Sequence, residues 1–290
     1  MFEGVYVAIP TPFKDGKIDW NSLEKHVEFL IEKGVDGIVP CGTTGESATL
    51  SHSEHEEVIE SVVKMCSGRV KVIAGTGSNC TEEAIRLTKF AEKVKADGAL
   101  LITPYYNKPN QEGLYRHFKK IADSVDIPII LYNVPGRTAV NMLPETVARL
   151  SEEKNIVGIK EATGSTNVAT EIIQLTSPEF SVLSGDDQTF FPLLCVGAKG
   201  VISVTANIVP ELVVKMFKSF KEGDFKTAQQ IHHKLYPLSK VLFIDTNPIP
   251  VKTALAMMGR MSAELRLPLC PTSSEKEQAI RRVLQDLGVI

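Results

Sequence analysis

Eight short apolar runs punctuate the chain between residue 4 and about residue 225: VYVAIP (5–10), GIVP (37–40), KVIAG (71–75), ALLITP (99–104), PIILYNV (128–134), IVGIKE (156–161), SVLSG (181–185) and GVISV (200–204). They are apolar throughout instead of alternating, as expected of strands buried on both faces. Amphipathic stretches separate them. Trp20, Leu23, Val27 and Leu30 recur at helical spacing after Asp19, a good N-cap, and the stretch stops at Gly34. Ser51 with Glu54 forms a capping box opening a helix over 51–66. Ile85, Thr88, Ala91 and Lys95 share one face of the next predicted helix, with Leu87, Phe90 and Val94 on the adjoining face.

One local pattern recurs in EKGVDGIVP, EKVKADGALLITP, EEKNIVGIKE and VGAKGVISV. A helix ends, a Gly or Asp-Gly turns the chain, and an apolar strand follows. Eight strand–helix alternations imply a parallel sheet. With no break in composition, they favour a closed α/β (β/α)8 TIM barrel over an open, doubly wound sheet. After residue 225 the strand runs stop, and three helical patterns remain: DFKTAQQIHHKLYPLSKVLF, PVKTALAMMGRM and SSEKEQAIRRVLQDLG. The expected organisation is a catalytic barrel over 1–225 and a C-terminal helical segment over 226–290. No Pro- or Gly-rich linker separates them, so the segment is expected to pack on the barrel.

Composition narrows the partners. Apolar residues make up 43% and charged residues 23%, which suits an ordinary globular chain. A net charge of −3 gives no basic footprint for nucleic acid. No apolar run approaches the ~20 residues of a membrane span, and the first residues lack the basic and apolar regions of a secretory leader. The five cysteines, Cys41, Cys66, Cys80, Cys195 and Cys270, are scattered without a CxxC, so reduced thiols in a cytoplasm are expected.

In such barrels the reacting groups sit at the C-terminal ends of strands. That rule selects GTTGES after strand 2, PYYNKP after strand 4, Tyr132 and Asn133 ending strand 5, Lys160 and Glu161 ending strand 6, and Gly185 and Asp186 after strand 7. Lys160 is the most informative. A desolvated lysine amine is a usable nucleophile that forms Schiff bases with carbonyl substrates. Tyr132, on the neighbouring strand, fits a proton donor and acceptor, and equally a buried tyrosine with a satisfied hydroxyl. Gly42, Thr43, Thr44 and Gly45 form a small turn able to wrap a carboxylate, though plain turn chemistry explains it as well. Arg137 suits bidentate capture of a carboxylate, or a simple surface position. Cys41 reads as packing, because no histidine lies at a neighbouring strand end. His52 and His55 lack the HExxH order and a cysteine partner, so no metal is expected there. Adjacent His232 and His233 cannot share a helix face and read as structural or exposed.

Taken together, GTTGES (42–47), TPYYNKP (103–109), LYNVPGRT (131–138), GIKEATG (158–164), LSGDD (183–187), GVISVTAN (200–207) and NPIPVK (247–252) resemble the 4-hydroxy-tetrahydrodipicolinate (dihydrodipicolinate) synthase family, in the family's order and over nearly the whole chain. The resemblance implies a Schiff-base lyase of the class I aldolase type. It would condense pyruvate with L-aspartate 4-semialdehyde in diaminopimelate and L-lysine biosynthesis, with no metal or organic cofactor. It assigns the Schiff base to Lys160 and proton transfer to Tyr132. Thr43 and Tyr106 would complete a relay, with Tyr106 supplied across a dimer interface. Pyruvate would be held by Thr44 and Ile202, with Gly185 beside it, and Arg137 would steer the semialdehyde's carboxylate. Sugar-acid relatives of the superfamily, N-acetylneuraminate lyase and 2-keto-3-deoxy sugar-acid aldolases, share the lysine and tyrosine, but NVPGRT favours a small acidic second substrate. A barrel that binds a keto acid without catalysis is the reading from a different class.

The same resemblance implies an L-lysine inhibitory site at a dimer-interface cleft, formed by Ser47, Ala48, His52, His55, Asn79, Glu83 and Tyr105, with Glu83 partnering the effector's ammonium. It also implies a homotetramer built as a dimer of dimers.

Overall fold

The computed structural model describes residues 2–290. Eight parallel strands form a closed barrel: β1 (Gly4–Ala8), β2 (Gly37–Val39), β3 (Lys71–Gly75), β4 (Gly98–Ile102), β5 (Ile129–Asn133), β6 (Ile156–Glu161), β7 (Ser181–Ser184) and β8 (Gly200–Ser203). Each lies within or against one of the eight apolar runs. The prolines that close several of those runs, Pro10, Pro40 and Pro104, fall just past the strands, because a residue without N–H cannot continue the ladder. The fold is the (β/α)8 barrel expected from the alternation. No helix among the described residues is long and apolar enough to cross a membrane.

Contacts divide the chain into two compact units. One comprises the residues up to Gly4 with Lys71–Ile202, the other Val5–Val70 with Ser203–Ile290. The first unit carries β3 to β7 and most of β8. Its helices include α3 (Thr81–Lys93), α4 (Gln111–Ala122), a one-turn α5 (Pro135–Thr138), α6 (Pro144–Ser151), α7 (Thr166–Leu175) and α8 (Phe190–Cys195). Asp97, of the recurring Asp-Gly, does more than turn the chain: its Oδ2 accepts from Val72 N at 2.8 Å while its own N–H donates to Val72 O at 2.9 Å. Lys95 does not continue the face of α3 as its spacing suggested. The helix has ended at Lys93, and Lys95 is exposed with φ 64° in the turn that follows.

A bulge sets the most consequential register of this unit. Ile129 of β5 pairs with Ile156 of β6, but Ile130 pairs with Gly158, leaving Val157 as the extra residue. Only glycine fits at 158, where a Cβ would lie 2.5 Å from Ser181 O. Beyond the bulge, Tyr132 stands opposite Lys160 and Asn133 opposite Glu161. A one-residue slip would put these side chains on the wrong faces.

The second unit pairs Tyr6 of β1 with Gly37 of β2 and Ala8 with Val39. Asp36 repeats the device of Asp97, its Oδ2 accepting from Val5 N at 2.7 Å. Helix α1 (Trp20–Glu32) is capped by Asp19, and α2 (His52–Cys66) opens with the complete Ser51–Glu54 capping box. The later helices of this unit are α9 (Pro210–Lys221), α10 (Phe225–Val241), α11 (Ile249–Met257) and α12 (Ser274–Leu287); α9 packs on α10, and both α10 and α11 pack on α12. Asn207 ties two parts of the unit together: its amide nitrogen donates to Ala8 O and Val204 O, both at 2.9 Å, so its Oδ1 accepts from His26 Nε2 at 2.9 Å. Burial holds that imidazole neutral, with its pKa pushed down to about 4.

Candidate active site

In the first unit, register brings Lys160 and Tyr132 together. Paired residues of adjacent strands project to the same face, and Lys160 Nζ lies 4.3 Å from the centre of the Tyr132 ring. Both residues are only 6% exposed. The position after β7 makes room for the lysine: a Cβ on Gly185 would lie 2.6 Å from Ala162 Cβ, 3.0 Å from Lys160 Cγ and 3.1 Å from Lys160 Cε. Ile202, on β8, is buried.

The next register pair, Asn133 and Glu161, faces the other way and is completely buried. Glu161 Oε1 accepts from Thr163 N at 2.5 Å and Oε2 from Asn133 Nδ2 at 3.2 Å. Asn133 also donates to Asn141 Oδ1 at 2.9 Å and accepts from Met142 N at 3.0 Å. Desolvation raises the Glu161 carboxyl above the ordinary carboxylate range. This network fixes the end of the segment that leaves β5. Within that segment Arg137 is exposed on one-turn helix α5. Thr138 stitches the turn by donating to Val140 O at 3.0 Å. Sequence reasoning noted Glu161 only as a strand-end residue. Its link to the Arg137 segment depends on register and left no local signal.

Tyr106 follows β4 and stands out by its exposure, 90%, on a backbone with φ 73°. An L-residue with a large side chain rarely adopts that conformation. Beside it, Asn79 Nδ2 donates to the Tyr105 carbonyl at 3.1 Å and Asn107 Nδ2 to the Asn79 carbonyl at 2.9 Å. Ser78 Oγ donates to Glu83, which lies in the first turn of α3. Asn79, Glu83 and Tyr105, three residues of the expected effector site, thus belong to one local cluster.

The remaining predicted residues lie in the second unit. The turn after β2 carries Thr43, half-buried, and Thr44, buried, between Cys41 and Glu46, which have φ 55° and 52°. Inner hydrogen bonds close the turn, with Gly45 N donating to Gly42 O and Glu46 N to Thr43 O, each at 3.1 Å. The rest of its support comes from far along the chain. Asn247 Nδ2 donates to Thr44 Oγ1 at 2.9 Å, and Thr11 Oγ1 donates to Gly45 O at 2.7 Å. Lys252 Nζ meets Glu46 Oε1 at 2.6 Å and Thr11 O at 3.0 Å, while Arg266 N donates to Glu46 Oε2 at 3.1 Å. The Lys252 and Glu46 side chains are 0% and 1% exposed. Burial lowers the pKa of Lys252, and Glu46 opposes that fall. None of these partners was singled out for this turn; NPIPVK marked the C-terminal motif but not what it touches.

Cys41 is buried, donates its thiol to the His55 carbonyl at 3.6 Å, and has its pKa pushed up by burial, consistent with packing and not nucleophilic chemistry. Ser47 and Ala48 begin the 3₁₀ turn over Ser47–Thr49, His52 is exposed at the start of α2, and His55 is buried one turn later. Among the described residues no group of three or more histidine, cysteine, aspartate or glutamate side chains is placed to hold a metal ion.

The chain is matched over residues 1–287 by the model of the dihydrodipicolinate synthetase family. The 4-hydroxy-tetrahydrodipicolinate synthase of Thermodesulfovibrio yellowstonii is 58% identical over 290 residues, covering 100% of both chains. The structure of a chloride-inhibited dihydrodipicolinate synthase from Acinetobacter baumannii, complexed with pyruvate, superposes with a TM-score of 0.98 at 48% identity and 100% coverage of both chains. The Cyanidioschyzon merolae enzyme with lysine bound gives 0.97 at 42% identity, covering 100% of this chain and 99% of that one. The protein is a lyase of the class I aldolase type, and its chain belongs to the dihydrodipicolinate synthetase family.

Proposed function

We propose that the protein is a 4-hydroxy-tetrahydrodipicolinate synthase that condenses pyruvate with L-aspartate 4-semialdehyde, serving diaminopimelate and L-lysine biosynthesis in the cytoplasm. The observation that carries this reading is the buried Lys160 amine, 4.3 Å from the Tyr132 ring centre. The amine attacks the keto carbon of pyruvate, and loss of water leaves an iminium. That group withdraws electrons, so the methyl carbon gives up a proton and becomes an enamine nucleophile. The enamine carbon bonds to the aldehyde carbon, whose oxygen takes up a proton. The amine of the former semialdehyde then attacks the iminium carbon, closes the ring and releases Lys160. Tyr132 moves protons in these steps, and the covalent lysine adduct supplies the electron sink without an organic cofactor.

Thr43 and Tyr106 are assigned to the proton relay, Thr44 and Ile202 to holding pyruvate, and Arg137 to the semialdehyde's carboxylate. These roles rest on the family resemblance. The space that Gly185 leaves beside Lys160 supports a substrate-contact role for that position. The exposed Tyr106 suits a residue delivered to a second copy, so the working form is proposed to be a homotetramer of two tight dimers. L-Lysine is proposed to inhibit at Ser47, Ala48, His52, His55, Asn79, Glu83 and Tyr105, a reading supported by the lysine-bound C. merolae relative.

The test is a coupled assay with pyruvate and aspartate semialdehyde, with and without lysine, beside borohydride reduction in pyruvate followed by intact mass. Turnover and a reduced adduct on Lys160 are expected. No adduct would sink the enzyme reading, and an adduct without turnover would point to a sensor or another aldehyde. Full activity in saturating lysine, or unchanged inhibition in Glu83→Ala, would remove the effector assignment.

A further inference from the structure

The turn that presents Thr43 and Thr44 is held by residues more than 200 positions later in the chain. A threonine hydroxyl has one proton to donate and two lone pairs with which to accept. In Thr44 one lone pair is occupied by the Asn247 amide N–H at 2.9 Å. The amide nitrogen only donates, so this contact turns the hydroxyl's single proton away from Asn247 and leaves it for another acceptor.

Glu46 anchors the same turn through its carboxylate. Its carboxylate meets Lys252 Nζ at 2.6 Å and the Arg266 backbone N–H at 3.1 Å. Glu46 is held at φ 52° and Cys41, on the other side of the threonines, at φ 55°. Non-glycine residues keep that conformation only where their surroundings impose it. Two contacts from one C-terminal stretch, Asn247 on the hydroxyl and Lys252 on the carboxylate, therefore fix both the orientation of Thr44 and the backbone that carries it.

We propose that Asn247 is a positioning residue for keto-acid binding: it orients the Thr44 hydroxyl as a hydrogen-bond donor to the substrate's carboxylate, on a turn that Lys252 clamps through Glu46. The C-terminal segment is then part of the binding machinery. This rests on the reading of Thr44 as a pyruvate contact.

The experiment is a double-mutant cycle of Asn247→Leu and Thr44→Val, read by borohydride trapping of the pyruvate adduct over a range of pyruvate concentrations. Trapping reports the first substrate alone. Each single variant should raise the half-saturating pyruvate concentration ~10- to 100-fold, the range for losing a hydrogen bond to a charged group. The double variant should resemble the single ones, because Asn247 acts through the hydroxyl. Asn247→Ala repeats the cycle if circular dichroism shows that the leucine variant does not fold. A folded Asn247 variant with wild-type half-saturation would overturn the proposal, as would effects that multiply in full in the double variant. A wild-type chain that traps no pyruvate would instead bring down the underlying functional reading.

Discussion

The Lys160–Tyr132 pair and the Thr43–Glu46 turn are positioned by opposite means. The pair sits on adjacent strands, and the backbone ladder with its bulge decides where both side chains go. The turn lies between two non-glycine residues at positive φ, Cys41 before it and Glu46 at its end, and is pinned by the side chains of Asn247 and Lys252 and the backbone N–H of Arg266. A site residue on a strand inherits the rigidity of the sheet. A residue on a turn needs dedicated tertiary partners, and each of those is a separate point of failure.

Substitutions can separate the two regimes. Lys160→Ala should abolish the pyruvate adduct and lower turnover by ~1000-fold or more, since the nucleophile is lost outright, while thermal melting changes little; a surviving adduct in the mass spectrum would contradict it. Tyr132→Phe should cost about 10²- to 10⁴-fold in kcat with the adduct still forming, as for loss of an acid–base group. Gly185→Ala is expected to lose on the order of 100-fold, because the new methyl displaces Lys160 and Ala162 from their positions; steady-state kinetics with wild-type rates would refute it.

The turn should respond in stability as well. Lys252→Met leaves Glu46 buried without its ammonium, and urea unfolding should register about 3–5 kcal/mol of destabilisation, partly restored by adding Glu46→Gln. If Lys252→Met unfolded at the wild-type midpoint, the clamp would carry no weight.

Acid is the condition under which the two units should behave most alike. His117 in the first and His26 in the second are both held near pKa 4 by burial, against an ordinary value of 6.5. The unfolded chain binds a proton between pH 6.5 and 4 where the folded chain does not. The stability contributed by each neutral histidine is therefore complete above pH 6.5 and is lost as pH falls through 4, to the extent of on the order of 3 kcal/mol each. Replacing either histidine with glutamine should flatten the fall of the melting temperature across that window; an unchanged slope would show that neither histidine drives it.

Much of the strand-borne half was legible in the sequence. Uniformly apolar runs located the barrel strands, and the strand-end rule then selected Lys160 and Tyr132 as neighbours. The capping residues Asp19, Ser51 and Glu54 act as their spacing predicted. The bulge at Val157 was not legible, because register is decided between strands. Neither was the second function of Asp36 and Asp97: an Asp-Gly announces a turn, while the bond to the start of the preceding strand appears only after folding. Asn247, Lys252 and Arg266 were hidden for the same reason on a larger scale. Their partners are a turn near the other end of the chain, and no periodicity connects the two.

That separation has a consequence for the time course of synthesis. The Glu46 carboxylate receives the backbone N–H of a residue 220 positions later. At about 5–20 residues per second, a ribosome needs roughly 10–45 s to pass from one to the other. A nascent chain can therefore lay down its first two strands and helices long before the threonine turn can take its final shape, and that shape becomes available only as the last helix is being made.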